Sequence, residues 1–424
     1  MRIHIKGGHL ADPANGIDAA RDLYIAAGKV VGVGTPPEGF TPNRTLDASA
    51  CVVAPGLIDL SARLREPGFE YKATLESEMA AAVTGGVTSL VCPPDTDPPL
   101  DEPGLVEMLK FRARSLNQAK VFPLGALTRG LAGATLTEMA ELKDAGCVGF
   151  AQADVAVTDT LVLMRALQYA ATFGFSVWLR PEDGSLAKGG VAHDGEVATR
   201  LGLSPISPCA ETVAVSTLLL LVRETGARLH VCRLSTRDGL EMIRRAKADG
   251  VNVTCDVSAN HMHLSELDLG YFDSNCHLRP PLRGLRDRDA LRHGLLDGTV
   301  DAICSDHTPV DDDAKQLPFA ESEAGATCLE LLLPLSLQWA RESKIPLSRA
   351  VALLTAQPAR ILGLDLGHLR VGHAADVCVF DPNQEWRVEP KALKSQGKNT
   401  PFLGLEMLGR VRWTLVDGQI VHEG

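Results

Sequence analysis

The sequence predicts an α/β protein: a parallel (β/α)8 barrel of the TIM type over residues 55–365, joined to a composite β domain from both termini, residues 1–54 together with 366–424. Three observations lead there. Eight short apolar runs, alternating with stretches of helical character, fill the middle of the chain. Both ends are instead short strand-like segments broken by Gly, Pro and Asn turns. Finally, the 424 residues are 45% hydrophobic but only 4% aromatic, which suits a large barrel of about 250 residues or more with a core of Ala, Val, Leu and Ile, plus a smaller unit.

The elements follow in order. The N-terminal segments "RIHIKGGHL", "DLYIAAGKVVGVG" and "TLDASACVVAPG" read as strands and are matched at the far end by "ADVCVFDP", "WRVEP" and "GRVRWTLVDGQIVHEG". The barrel strands are expected in "VVAPGLIDL", "GVTSLVCPP", "AKVFPLGAL", "GCVGFAQ", "FSVWLRPE", "ARLHVCRLS", "VNVTCDVSA" and "VDAICSDH". Helices are expected in "TLESEMAAAVTGG", "TLTEMAELKDAG", "LVLMRALQYAATFG" and "DGLEMIRRAKADG", the last stopped by glycine. "VAVSTLLLLVRE" and "CLELLLPLSLQWA" read as helices packed on the barrel. In such a barrel the chemistry-bearing residues stand at the C-terminal ends of the strands.

Composition narrows the function classes. A net charge of −11 and the absence of any lysine or arginine run give no surface for a phosphate backbone, so nucleic acid is not the expected partner. The ten cysteines form no CxxC pair and sit in apolar segments, as buried reduced thiols of a cytoplasmic protein do. The first residues, "MRIHIKGGHLADPANG", lack the apolar core of a signal peptide, and no run approaches membrane-spanning length, so no membrane association is expected.

The segments "PGLIDL", "LREPG", "RPPLRGLRDRDAL", "DGTVDAICSDHTP", "QPARILGLD", "VGHAADVCVFDP" and "GKNTPFLG" give the chain a resemblance, nearly end to end, to the dihydroorotase branch of the amidohydrolase superfamily. That resemblance implies the same barrel and composite β domain. It also implies a metal site that this sequence does not repeat. Where the family ends its first strand with Asp-x-His-x-His-x-Arg, this chain has Asp59, Ser61, Arg63 and Arg65. The paired aspartates after strand four are replaced by Gln152 and Ala153, with Asp154 next in line and read as a loop acid. The strand-five histidine is Arg180, followed by Glu182; on strand six His230 survives but the ligand position is Arg233. Only Asp306, the strand-eight ligand and general base of the family, is kept. A guanidinium is permanently protonated and has no lone pair for a metal, so zinc is expected to be absent and no catalytic residue is assigned, Asp306 being vestigial.

The substrate positions tell a similar story. Arg65, which the resemblance implies would grip a substrate carboxylate, remains; its partners are replaced by Asp95, Arg279 and Val310. Asp59, Glu182 and Asp306 would form a costly buried cluster of like charges without metal, so arginine–carboxylate pairs are expected to close the barrel mouth. His261 and His263 are expected to be structural.

The resemblance implies a noncatalytic structural subunit, self-associating and assembled with aspartate carbamoyltransferase catalytic chains in pyrimidine biosynthesis. Two alternatives stay open: an active cyclic-amide hydrolase with a rearranged metal site around Asp306, Glu182 and His307, and an anion sensor built on Arg63, Arg65, Arg180, Arg233 and Arg279.

Overall fold

Apolar runs without polar alternation become strands buried on both faces, as parallel strands covered by helices must be. The computed structural model describes residues 1–424. Its central sheet has eight strands, β1 (Leu57–Asp59), β2 (Val87–Cys92), β3 (Lys120–Ala126), β4 (Gly149–Ala151), β5 (Ser176–Leu179), β6 (Arg228–Val231), β7 (Val253–Ser258) and β8 (Ala302–Cys304), hydrogen-bonded in chain order. Every expected barrel strand is present, and all neighbouring pairs are parallel. The ring closes just beyond the strand ends, where Ala62 bridges His307 in parallel and Ser305 N donates to Asp59 Oδ1 at 2.8 Å.

Some helices start and stop where their sequences signal, whereas the one expected in "TLTEMAELKDAG" begins only at Met139. Helix α1 (Leu75–Thr84) opens with a capping box between Thr74 and Ser77. Helix α2 is Pro103–Ser115 and α3 is Met139–Ala145. Asp159 caps α4 (Thr160–Phe173), which Gly174 ends in the left-handed conformation. Helices α5 (Cys209–Thr225), α6 (Arg237–Ala248), α7 (Leu285–Asp297), α8 (Leu332–Glu342), α9 (Leu347–Leu354) and α10 (Ala356–Leu362) follow, and three shorter helices, Glu196–Leu201, Ala259–His263 and Asp312–Gln316, lie between these along the chain. A core of 70 buried residues lies between the strands and the helices, and Ala359, Ile361 and Leu362 of α10 join Ile58, Leu124 and Trp178 in a separate cluster of 11.

The termini do combine into one sheet. Its six strands run Gln419–Glu423, Glu406–Val416, Val377–Arg387, Val52–Pro55, His9–Asp12 and Ile17–Ala20, and a four-stranded N-terminal sheet packs with it around a core of 15 buried residues. The strand Val52–Pro55 runs across the 54/55 division, and Val377 to Phe380 pair with it antiparallel. One C-terminal segment lies on the barrel instead: Lys394 and Ser395 donate backbone N–H groups to Glu330, and Asn399 bonds Thr308 O, Gly325 O and Val310 N. None of the ten cysteines is paired; eight are buried, whereas Cys209 is exposed and Cys232 intermediate. No helix is long and apolar enough to cross a membrane.

Candidate functional site

The C-terminal ends of the strands converge on a knot of opposite charges. Arg63, four residues past β1, donates Nε to Asp95 Oδ2 at 2.7 Å, NH1 to Thr308 Oγ1 at 3.0 Å and NH2 to Asp154 Oδ2 at 2.6 Å. Arg180, at the end of β5, donates Nε to Asp154 Oδ1 at 2.7 Å and grips Glu182 with both terminal nitrogens at 2.7 and 2.9 Å. Arg233, after β6, donates NH1 to Asp306 Oδ1 at 2.9 Å and NH2 to Asp154 Oδ1 at 2.6 Å. All three guanidiniums are buried.

Asp154 is therefore the hub, not the isolated loop acid its sequence position suggested. It lies at the one point where three guanidiniums from β1, β5 and β6 meet. Burial alone would raise its carboxyl, but Arg233, Arg63 and Arg180 outweigh that and hold it well below the usual carboxylate range. Asp306 sits between Arg233 and Arg63, at 2.9 and 3.5 Å, so its carboxylate is occupied by cations. Asp95 is explained as the third acid of Arg63, and Glu182 as the second acid of Arg180, with Arg279 reaching it at 4.0 Å.

The expected arginine pairing fails for Asp59. Its Oδ1 accepts from Ser305 N at 2.8 Å and its Oδ2 from Ser305 Oγ at 2.5 Å, which tie β1 to the chain after β8. Burial pushes this carboxyl up to about 6, against those bonds.

The remaining positions stand apart from the knot. Gln152 is buried and turned to Thr128 Oγ1 and Leu131 O. Ser61 offers its carbonyl to Ser305 Oγ and His307 N. Arg65 donates Nε to Pro309 O and keeps only a 3.7 Å pairing with Glu323; burial, and then Arg63, lower its pKa. Val310 is buried and anchored through its backbone N to Asn399. His230 pairs with Asp256 at 3.0 Å and packs on Trp178. His307 points away from the mouth: Nε2 donates to Glu78 at 2.5 Å and Nδ1 accepts from Cys328 N and Leu329 N, so it offers the mouth no free nitrogen. His261 and His263 bond the carbonyls of Pro280 and Leu335, as structural histidines do.

Sequence reasoning did not single out Asp256, Glu78 or Thr308. Asp256 accepts from Arg233 N at 2.5 Å, fixing the turn that aims Arg233. A further sign of an inherited site lies in the backbone. Arg65, Ala153, Arg233 and Asp306 all have positive φ, between 49° and 62°, at strand ends of the mouth. Such left-handed non-glycine residues are costly and collect at functional sites.

Four carboxylates and three guanidiniums bind one another here, and of the four positions where the resemblance implies histidine ligands, three hold guanidiniums, which have no lone pair, and one holds the hydroxyl of Ser61. The donor set does not fit a binuclear metal centre.

Comparison with known proteins places this geometry. A family model described as Dihydro-orotase-like matches residues 50–239, and one described as Amidohydrolase family matches residues 325–422. A dihydroorotase-like protein of Pseudomonas aeruginosa is 46% identical over all of both chains, and a dihydroorotase of Geobacter sp. (strain M21) is 42% identical over the same full extent. Among solved structures, the L-hydantoinase (dihydropyrimidinase) of Arthrobacter aurescens superposes with a TM-score of 0.88 at 24% identity, covering 99% of this chain and 96% of that one, a likeness of fold. With relatives this similar over its whole length, the chain belongs to the dihydroorotase-like family of amidohydrolases.

Proposed function

We propose that this chain is a noncatalytic member of its family, a cytoplasmic structural subunit that self-associates and supports the assembly and activity of aspartate carbamoyltransferase in de novo pyrimidine biosynthesis. One observation carries the loss of chemistry: Arg63, Arg180 and Arg233 stand at metal-ligand positions and are neutralised by Asp95, Asp154, Glu182 and Asp306. Hydrolysis of a cyclic amide in this family needs a metal to activate water. Here the acid that would take the proton is paired to a guanidinium at 2.9 Å, and three of the four histidine positions hold arginines, which have no lone pair for a metal. The intact fold around a closed mouth supports a role for the scaffold itself. The partnership rests on the family resemblance alone.

A competing reading, an active dihydroorotase with a rearranged site, draws on the name of the Geobacter relative. One experiment separates them. The chain is co-expressed with a transcarbamoylase catalytic chain, sized, assayed for dihydroorotate ring opening and measured for metal bound at the mouth. A mixed oligomer without ring opening supports the proposal. Turnover that stops on the D306N substitution supports the competitor, and a transcarbamoylase that elutes unchanged overturns the partnership.

A further inference from the structure

A second convergence of potential ligands lies at the opposite end of the barrel, in the segment that links α10 to the C-terminal strand. His368 and His373 both meet the carboxylate of Asp365, so that one ligand atom from each of the three residues lies within 4.8 Å of the other two. His368 Nε2 is 2.8 Å from Asp365 Oδ1, and His373 Nδ1 is 3.0 Å from Asp365 Oδ2. The two rings stand edge to face, with centroids 4.9 Å apart. A cavity of about 20 Å³ adjoins them, floored by Gly56 and Thr88 at the N-terminal ends of β1 and β2. That is room for one ion or one water.

We propose that Asp365, His368 and His373 form a zinc-type divalent metal site that staples the joint between the barrel floor and the β domain. Two imidazoles and one carboxylate are borderline donors of the kind zinc takes, with a fourth position left for water. The spacing Asp-x2-His-x4-His puts all three on one short loop, so little chain entropy is lost in bringing them together. Zinc held at about 2.0–2.2 Å by each ligand needs donor atoms about 3.3–3.6 Å apart, which the carboxylate pairs at 2.8 and 3.0 Å approach, with all three ligand atoms within 4.8 Å of one another. His368 is 6% exposed and acts as a fixed anchor, whereas Asp365 at 63% and His373 at 34% leave the ion a path from solvent.

Two contacts oppose the ion and are small. His368 Nδ1 accepts a 3.3 Å bond from Arg370 N, which is given up when zinc takes Nε2 and the ring proton moves to Nδ1. The Arg370 guanidinium is 4.0 Å from Asp365 but more than half exposed, so it swings into solvent at little cost. The gain is at a structural crossroads. His373 O accepts from Val30 N, and Leu369 N donates to Asp12 Oδ2, so the loop that would hold the metal already bonds the N-terminal sheets.

The test uses the full chain, stripped by chelation and titrated with zinc by calorimetry and with cobalt for ligand-field absorption. The expected result is one equivalent per chain, with a rise in Tm, and binding weakened by about 100-fold or more in H368A/H373A. The exposed D365N variant, which leaves the buried anchor in place, is expected to weaken it by about tenfold. Absence of binding to the unaltered chain overturns the site and leaves the proposed function standing. Metal that persists in H368A/H373A but is lost in D306N lies in the mouth, and overturns both.

Discussion

Asp154 illustrates why a single residue's role escapes a linear reading. It is separated in sequence from Arg63, Arg180 and Arg233, and only barrel closure brings those three guanidiniums around it. The unusual residues Ser61, Arg63, Arg180 and Arg233 were legible because each falls in a strand-end motif; the ion pairing at Asp154 was not, because it is a property of three strands at once. Removing it takes one partner from each of three buried cations, which keep Asp95, Glu182 and Asp306. D154A is expected to lower unfolding free energy by about 3 kcal/mol, the low end for a broken buried pair because the Asp154 side chain is 30% exposed, as measured by the midpoint of urea unfolding. Asp59 behaves oppositely. Its carboxyl is raised to about 6 in the fold, so folding favours the protonated form. That contribution is complete below the unfolded value near 3.9 and is lost as pH rises through about 6. The stability of the unaltered chain relative to D59N is therefore expected to fall by about 2 kcal/mol between about pH 4 and about pH 8.

At the level of elements, the barrel strands were readable because fully apolar runs between helical stretches leave few alternatives, and caps such as Thr74 and Asp159 sharpen the helix starts. The crossing segment around residues 393–399 was not. It has no periodicity, and its attachment depends on side chains of distant elements. Glu78 of α1, fully buried, accepts from Ser77 Oγ, Ser395 Oγ, Gln396 N and His307 Nε2. It thus fastens the C-terminal crossing and the chain after β8 to one helix. E78A leaves these donors without an acceptor, at a cost of about 2–4 kcal/mol. It is expected to release the crossing locally, seen as faster hydrogen exchange and faster tryptic cleavage at Lys394 and Lys398 while the barrel strands stay protected.

For the molecule as a whole, the architecture followed from the alternation of patterns along the chain, and the relation between the two termini followed from their matching strand character. Pairing partners within the composite sheet were beyond reach, since the strands concerned are short and mutually compatible. The structure joins Val52–Pro55 to Val377–Phe380, and Arg44 to Glu423 through paired contacts at 2.6 and 2.7 Å. A chain ending at Ala375 lacks three of the six strands and uncovers an apolar edge. It is expected to fold its barrel but aggregate, measured as light scattering at concentrations where the full chain stays clear.

The same pairing sets an order of events during synthesis. Val53 leaves the ribosome more than 300 residues before its partner Val379 exists. At a translation rate of about 5–20 residues per second, that interval is on the order of tens of seconds. Through it, the barrel is being completed beside an apolar strand with one vacant side, so the nascent protein carries an unpaired edge open to wrong partners until its C-terminal strands arrive.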